Sequence, residues 1–183
     1  MITFYKGTPR VTGSACSLHY STSVGCFFLE LIKQSGWNAK AGPNGSGVFI
    51  TGKDNPTKHS KMKISTAEAC ELLNAIDSGG SVKLYHSFGG SSSQLFFGPY
   101  EKDPKLSTLN LLKTSAEDKT ATGKTSILIG LKAHEVRLVR EYLLCGLQEI
   151  FKTKPEVKKP VAEKTPEPEP ETSSEVVEDA PIF

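Results

Sequence analysis

The sequence predicts an α+β fold made of a repeated unit, several strands closed by one helix, and three observations carry that prediction. Two stretches have helical periodicity, each directly behind a short extended segment. The rest of the body reads as strands and turns, and one constant spacing superimposes the two sets. That spacing sets Leu18 against Leu84, Leu29 against Leu95, Ala67 against Ala133 and Leu72 against Leu138.

Taken in chain order, Ser17-Leu18-His19-Tyr20-Ser21 and, after a turn, Gly25-Cys26-Phe27-Phe28-Leu29-Glu30 read as a first strand pair. Lys61-Met62-Lys63-Ile64 is extended and runs into a helix over Ile64 to Ile76. Ser65 supplies a hydroxyl N-cap, Glu68 stands three residues later as a capping box requires, and Gly79-Gly80 stop the helix. Ser81 to Phe88, a turn at Gly89-Gly90-Ser91-Ser92, and Gln94 to Gly98 give the strongest hairpin signal. Ser126-Ile127-Leu128-Ile129 is again extended and precedes a second helix, Ala133 to Phe151, with Val136, Val139, Leu143, Leu147 and Ile150 at helical intervals.

Charge divides the chain in two. From Pro155 to Phe183 there are eight acids against three lysines, a net −5, so the body's 19 bases and 12 acids give +7 inside a whole-chain charge of only +2. The body, residues 1–154, is long enough for one domain with a substantial core, since a chain of roughly 150 residues buries about two-thirds of its unfolded surface. Residues 155–183, with Thr165-Pro166-Glu167-Pro168-Glu169-Pro170-Glu171 at their centre, are too rich in proline and charge to offset ordering entropy. They are expected to form an extended, disordered tail ending in an interaction tip. A basic body attracts polyphosphate by counterion release, while a tethered acidic tail competes for the same surface or recruits a partner.

Other chemistries find little support. Ile2-Thr3-Phe4-Tyr5 follows Met1 without a charged segment and a long apolar run, so no secretory signal and no membrane span are expected. Cys16, Cys26, Cys70 and Cys145 lack any CxxC pairing and read as reduced, mostly buried thiols of a cytoplasmic protein. The histidines show no metal spacing, so neither metal nor cofactor is expected. Thr122-Gly123-Lys124-Thr125 lacks the earlier glycine of a phosphate loop, having Asp118 there, and leads into a strand rather than a helix. No nucleophile, base and orienter stand out, so no enzyme is expected.

Met62-Lys63-Ile64-Ser65-Thr66-Ala67-Glu68 through Leu72-Leu73 to Gly79, continuing into Val82-Lys83-Leu84-Tyr85-His86, resembles the Whirly family of single-stranded DNA-binding proteins, within the positive-cofactor coactivator and Whirly fold group. Ile127-Leu128-Ile129-Gly130-Leu131-Lys132-Ala133-His134-Glu135 is similar to that family's second strand-to-helix junction. Tyr5-Lys6-Gly7 resembles the start of its Lys-Gly-Lys-Ala-Ala-Leu element, with departures at Thr8, Pro9 and Arg10. The resemblance implies two antiparallel sheets, each of four strands followed by a helix, related by a pseudo-twofold axis. It also implies a homo-tetramer, with a dimer as the alternative, that lays single-stranded DNA across its sheets with little sequence preference. The tip, Glu178, Asp179, Pro181, Ile182 and Phe183, is similar to the acidic end of bacterial single-strand-binding proteins. That likeness implies recruitment of replication, recombination or repair proteins in a bacterium or a virus-infected host cell.

A single-strand-binding surface needs cations to follow phosphates and flat rings on which bases stack. Strand alternation puts Val82, Leu84 and His86 on one face and Lys83, Tyr85 and Ser87 on the other, so Lys83 and Tyr85 are expected outward, with Phe96 and Tyr100 on the neighbouring strand. The matched positions put His19 and Phe28 outward in the first set. Phe27-Phe28 and Phe96-Phe97 should each give one ring to the core and one to the surface. Lys6, Arg10, Lys33, Lys40, Lys53, Lys58, Lys61 and Lys63 supply candidate phosphate contacts, and Trp37 beside Gly36 and Asn38 a candidate stacking ring that would otherwise cover the core edge. The rival readings are an RNA-binding or transcription-regulating protein of the same fold, and an oligomeric scaffold that binds no nucleic acid.

Overall fold

The computed structural model describes residues 1–50, 58–114 and 124–153. In chain order they form β1 (Ile2–Lys6), β2 (Ser14–Ser21), β3 (Cys26–Lys33), β4 (Gly36–Asn38), β5 (Ser46–Val48), β6 (His59–Ser65), α1 (Thr66–Ser78), β7 (Val82–Phe88), β8 (Ser91–Tyr100), β9 (Asp103–Thr114), β10 (Lys124–Lys132) and α2 (Ala133–Lys152). The protein is α+β. One antiparallel sheet has the order β1-β2-β3-β6, a second β10-β9-β8-β7, and β4 with β5 makes a small separate ribbon.

Alternation decides which face of each sheet is buried. In the second sheet Leu84, Leu95, Leu111 and Ile127 stand opposite one another across all four strands and are all buried. In the first, Leu18, Leu29 and Met62 form the equivalent buried row. These rows face one continuous core shared by both sheets and both helices, in which each large apolar side chain contributes roughly 1.5–3 kcal/mol by leaving water. α1 packs on β3, β6, β7 and β8, while α2 packs on β2, β9 and β10, so each helix ties the two sheets together. Phe27 is fully buried, and Gly146 lets α2 lie directly on it, because a Cβ there would stand 2.5 Å from the ring.

Helix boundaries follow local chemistry. Ser65 accepts from the Glu68 N–H while the Glu68 carboxylate accepts from the Ser65 N–H, and Gly79 ends α1 at φ 65. Glu135 plays the same part for α2, accepting from the Lys132 N–H and from Lys6 Nζ. Burial alone would raise the Glu135 pKa, but the Lys6 and Lys132 hydrogen bonds outweigh it and hold the carboxyl below its ordinary range.

Three expectations are corrected. The constant spacing lays β2 and β3, the two central strands of the first sheet, over β7 and β8, which are an edge strand and its neighbour in the second. The β4–β5 ribbon interrupts the first sheet's chain between β3 and β6, and one spacing cannot follow segments with different insertions. The residues of β1, β9 and the ribbon were not among the extended segments expected from the sequence, although the resemblance called for four strands in each sheet. Of the four thiols only Cys16 and Cys26 are buried, with burial pushing Cys16 up to about 12, while Cys70 and Cys145 are exposed on the helices.

Candidate nucleic-acid interface

The outer face of the first sheet carries a compact group of rings and cations. His19, Phe28 and Lys63 stand opposite one another across β2, β3 and β6, with Ser17, Glu30 and Lys61 in the next outward row. The His19 and Phe28 rings stack at 5.0 Å and 22°, and Lys61 Nζ lies 4.8 Å from the Phe28 ring centre. Burial and the neighbouring Lys61 charge lower the His19 pKa, with Glu30 acting in the opposite sense. The shift favours the neutral form of the His19 ring. Glu30 is the acid on this face, and His59 bonds it.

Tyr5, 65% exposed, extends this face at its β1 edge. Its ring lies 5.6 Å from that of Phe49, and the two share a cleft of about 540 Å³ with Trp37, Gly7, Gly45 and Gly47. Gly45 is at φ 69, and a Cβ there would meet the Trp37 indole at 2.6 Å, so the indole lies against bare backbone. Trp37 is half-buried, neither a core residue nor a free one. The ribbon that holds it is fastened by Gln34, 2% exposed, whose side chain accepts from the Thr8 and Gly13 N–H groups and donates to the Thr8 and Gly36 carbonyls.

The second sheet's outer face places Lys83, Phe96, Asn110 and Leu128 in one cross-strand row and Tyr85, Gln94, Leu112 and Ser126 in the next. Tyr85 is 64% exposed and Lys83 is exposed beside it. Phe97 is buried and Phe96 partly exposed, as Phe27 and Phe28 are. A Cβ on Gly98 would lie 2.9 Å from the Phe96 ring, so this glycine lets the ring lean along the sheet. Tyr100 follows a register shift in β8 and lines the same depression as Phe96.

The predicted cations separate into groups. Lys61 and Lys63 are exposed on the first outer face. Lys33 and Lys58 instead line a cleft with Gly13, Ser14 and Leu128 at the seam between the sheets. Arg10 and Lys40 are exposed on turns. Lys6, two residues after the buried Phe4, lies on the same inner side of β1, and its ammonium bonds Glu135 at the start of α2, so its charge is already partnered. Lys53 and the tip residues Glu178, Asp179, Pro181, Ile182 and Phe183 fall outside the described residues. Tyr5, Gln34, Phe49 and Asn110 were not among the residues singled out from the sequence. Only Tyr5 had a readable signal, its alternation with Phe4.

Among the described residues no group of three or more His, Cys, Asp or Glu side chains gathers to hold a metal, and no helix is long and apolar enough to cross a membrane. No family model matches the chain, and no curated protein matches it. Among solved structures, one described as "Crystal structures of trypanosoma bruciei MRP1/MRP2" is similar, at 11% identity over 80% of this chain and 83% of that one, with a TM-score of 0.56. At that identity the likeness is one of fold.

Proposed function

We propose that the protein binds single-stranded DNA without catalysis, coating exposed strands on the outer faces of its two sheets with little sequence specificity, in replication, recombination or repair. In this reading the chain has the Whirly-like arrangement, two four-stranded sheets each closed by a helix about a pseudo-twofold axis. It assembles as a homo-tetramer and works in the cytoplasm of a bacterium or an infected host cell. Its acidic tail, ending in Pro181-Ile182-Phe183, recruits partner proteins.

The observation that carries the reading is the first outer face: a stacked His19–Phe28 pair with Lys61 over one ring and Lys63 beside it. Stacking needs no base identity, because every base has a π-face, and contributes roughly 1–3 kcal/mol per base. The ammonium groups follow phosphate. Lys83 and Tyr85 repeat the combination on the second face.

The test is mobility shift of oligothymidine at low salt with the wild-type protein and with Lys61→Ala/Lys63→Ala. The proposal expects a shift for the wild type and a clearly weaker one for the double variant. A wild type that leaves the oligomer unshifted removes the reading and favours a scaffold; equal shifts for both proteins place the binding surface elsewhere.

A further inference from the structure

The depression between Phe96 and Tyr100 has among its lining groups a buried hydroxyl without a hydrogen-bond partner among the described residues. It is about 280 Å³; Phe96, Pro99, Tyr100, Thr108, Asn110 and Leu128 line it together with one acid and one base, Glu101 and Lys102. Thr108 sits on β9 between Gly98 and Gly130 of the flanking strands, which bring no side chains of their own to its row, while the Phe96 ring and the Leu106 side chain reach over those glycines. Yet Thr108 is only 4% exposed, and its hydroxyl has no hydrogen-bond partner among the described residues. A buried hydroxyl left unpaired costs free energy that the fold has not recovered, and such groups call for an explanation. Asn110 stands next to it, with its side-chain oxygen accepting from Ser126 Oγ and its amide N–H2 turned to no described partner.

These groups have a definite complement. A hydroxyl both donates and accepts, and an amide N–H2 donates. Together they match a ring carbonyl beside a ring N–H, an edge that thymine, uracil and guanine possess and cytosine and adenine lack. Phe96 and Tyr100 supply the apolar walls for a flat ring.

We propose that this cleft takes one unstacked keto base of a bound strand, with Thr108 and Asn110 reading its carbonyl and N–H edge. The inference rests on single-strand binding as proposed above. It adds a base preference at one position of an otherwise indifferent track, which continues from Leu128 into the seam where Lys33 and Lys58 meet the strand's phosphates.

The test measures anisotropy of labelled oligodeoxythymidine and oligodeoxycytidine of equal length with the full chain, wild type and Thr108→Val, with oligouridine as a further arm to separate DNA from RNA as the source of the keto base. Valine keeps the shape of threonine and removes the hydroxyl, so the variant should unfold at the same temperature or higher. The wild type should prefer thymidine by roughly tenfold, about the discrimination one well-made base-edge contact supplies, and Thr108→Val should reduce that preference to about twofold or less. Equal affinity of the wild type for both oligomers, or an undiminished preference in a folded Thr108→Val, overturns the base-reading cleft while leaving strand binding intact. Binding of neither oligomer overturns both. Tighter binding of uridine than thymidine keeps the cleft and assigns it to RNA.

Discussion

In the proposed function Phe28 is the side chain on which strand binding should most depend, because it is flanked by one ring and one cation and still reaches the surface. Phe28→Ala should weaken oligothymidine binding by about tenfold, the effect of one lost stacking partner, while Phe28→Tyr should stay within about twofold. Fluorescence anisotropy checks this, and an unchanged affinity in Phe28→Ala would remove the stack from the account. His86 and Glu68 make a different point. Burial alone would raise the Glu68 pKa, but bonds from the Ser65 N–H and hydroxyl and from His86 outweigh it and hold the carboxyl below its ordinary 4.5. Because the folded state favours the ionised form, the unfolded chain binds more protons in this window, and stability rises with pH through it. The contribution is complete above about 4.5 and is lost as pH falls through the folded value. Glu68→Gln keeps an oxygen for the Ser65 N–H and removes only the charge, so it should cost about 0.3–1 kcal/mol at neutral pH, and the gap to wild type should close in acid. A gap that persists unchanged at pH 3, read by urea unfolding, would contradict the linkage.

At the scale of elements, what was legible in the sequence is what local chemistry determines. The capping box at Ser65 and Glu68 and the stop at Gly79 mark α1 because those interactions lie within one turn of the chain. Gly89 and Gly90, at φ 56 and φ 75, mark the β7–β8 turn for the same reason. Strand β9 escaped because Leu111 and Leu112 break alternation: the first enters the core and the second lies among the outward residues. The β4–β5 ribbon escaped because Gln34, which fastens it, bonds groups on both sides of a long chain separation. Gln34→Ala would leave the Thr8 and Gly13 N–H groups unpaired, at a cost of about 3 kcal/mol, and should loosen Trp37, visible as a red shift of the protein's single tryptophan emission. A variant with wild-type stability and emission would show that Gln34 does not hold the ribbon. Lys6 is the candidate cation whose ammonium is held at the start of α2. Since its ammonium is bonded to Glu135, Lys6→Ala should lower the unfolding temperature by a few degrees and leave the salt dependence of DNA binding unchanged. A smaller salt slope would return Lys6 to the interface.

At the scale of the whole molecule, charge separation between body and tail was readable from composition alone, whereas the grouping of the body's cations was not. Lys61 and Lys63 reach one face, Lys33 and Lys58 the seam, and Lys83 the second face, and only the strand register reveals it. Removing Glu175 to Phe183 takes away three acids, so it should preserve or tighten DNA binding while ending partner recruitment; weaker binding by the shortened chain would contradict competition by the tail. The most direct test of the central claim, that the ring-bearing cationic faces take an unpaired strand, is one titration: equal-length single-stranded and double-stranded oligonucleotides across salt concentrations. The account predicts tighter binding of the single strand and an affinity that falls linearly with salt on logarithmic axes, by about 0.7 for each phosphate neutralised. Equal or tighter binding of the duplex, or no binding of either at the lowest salt, would contradict it.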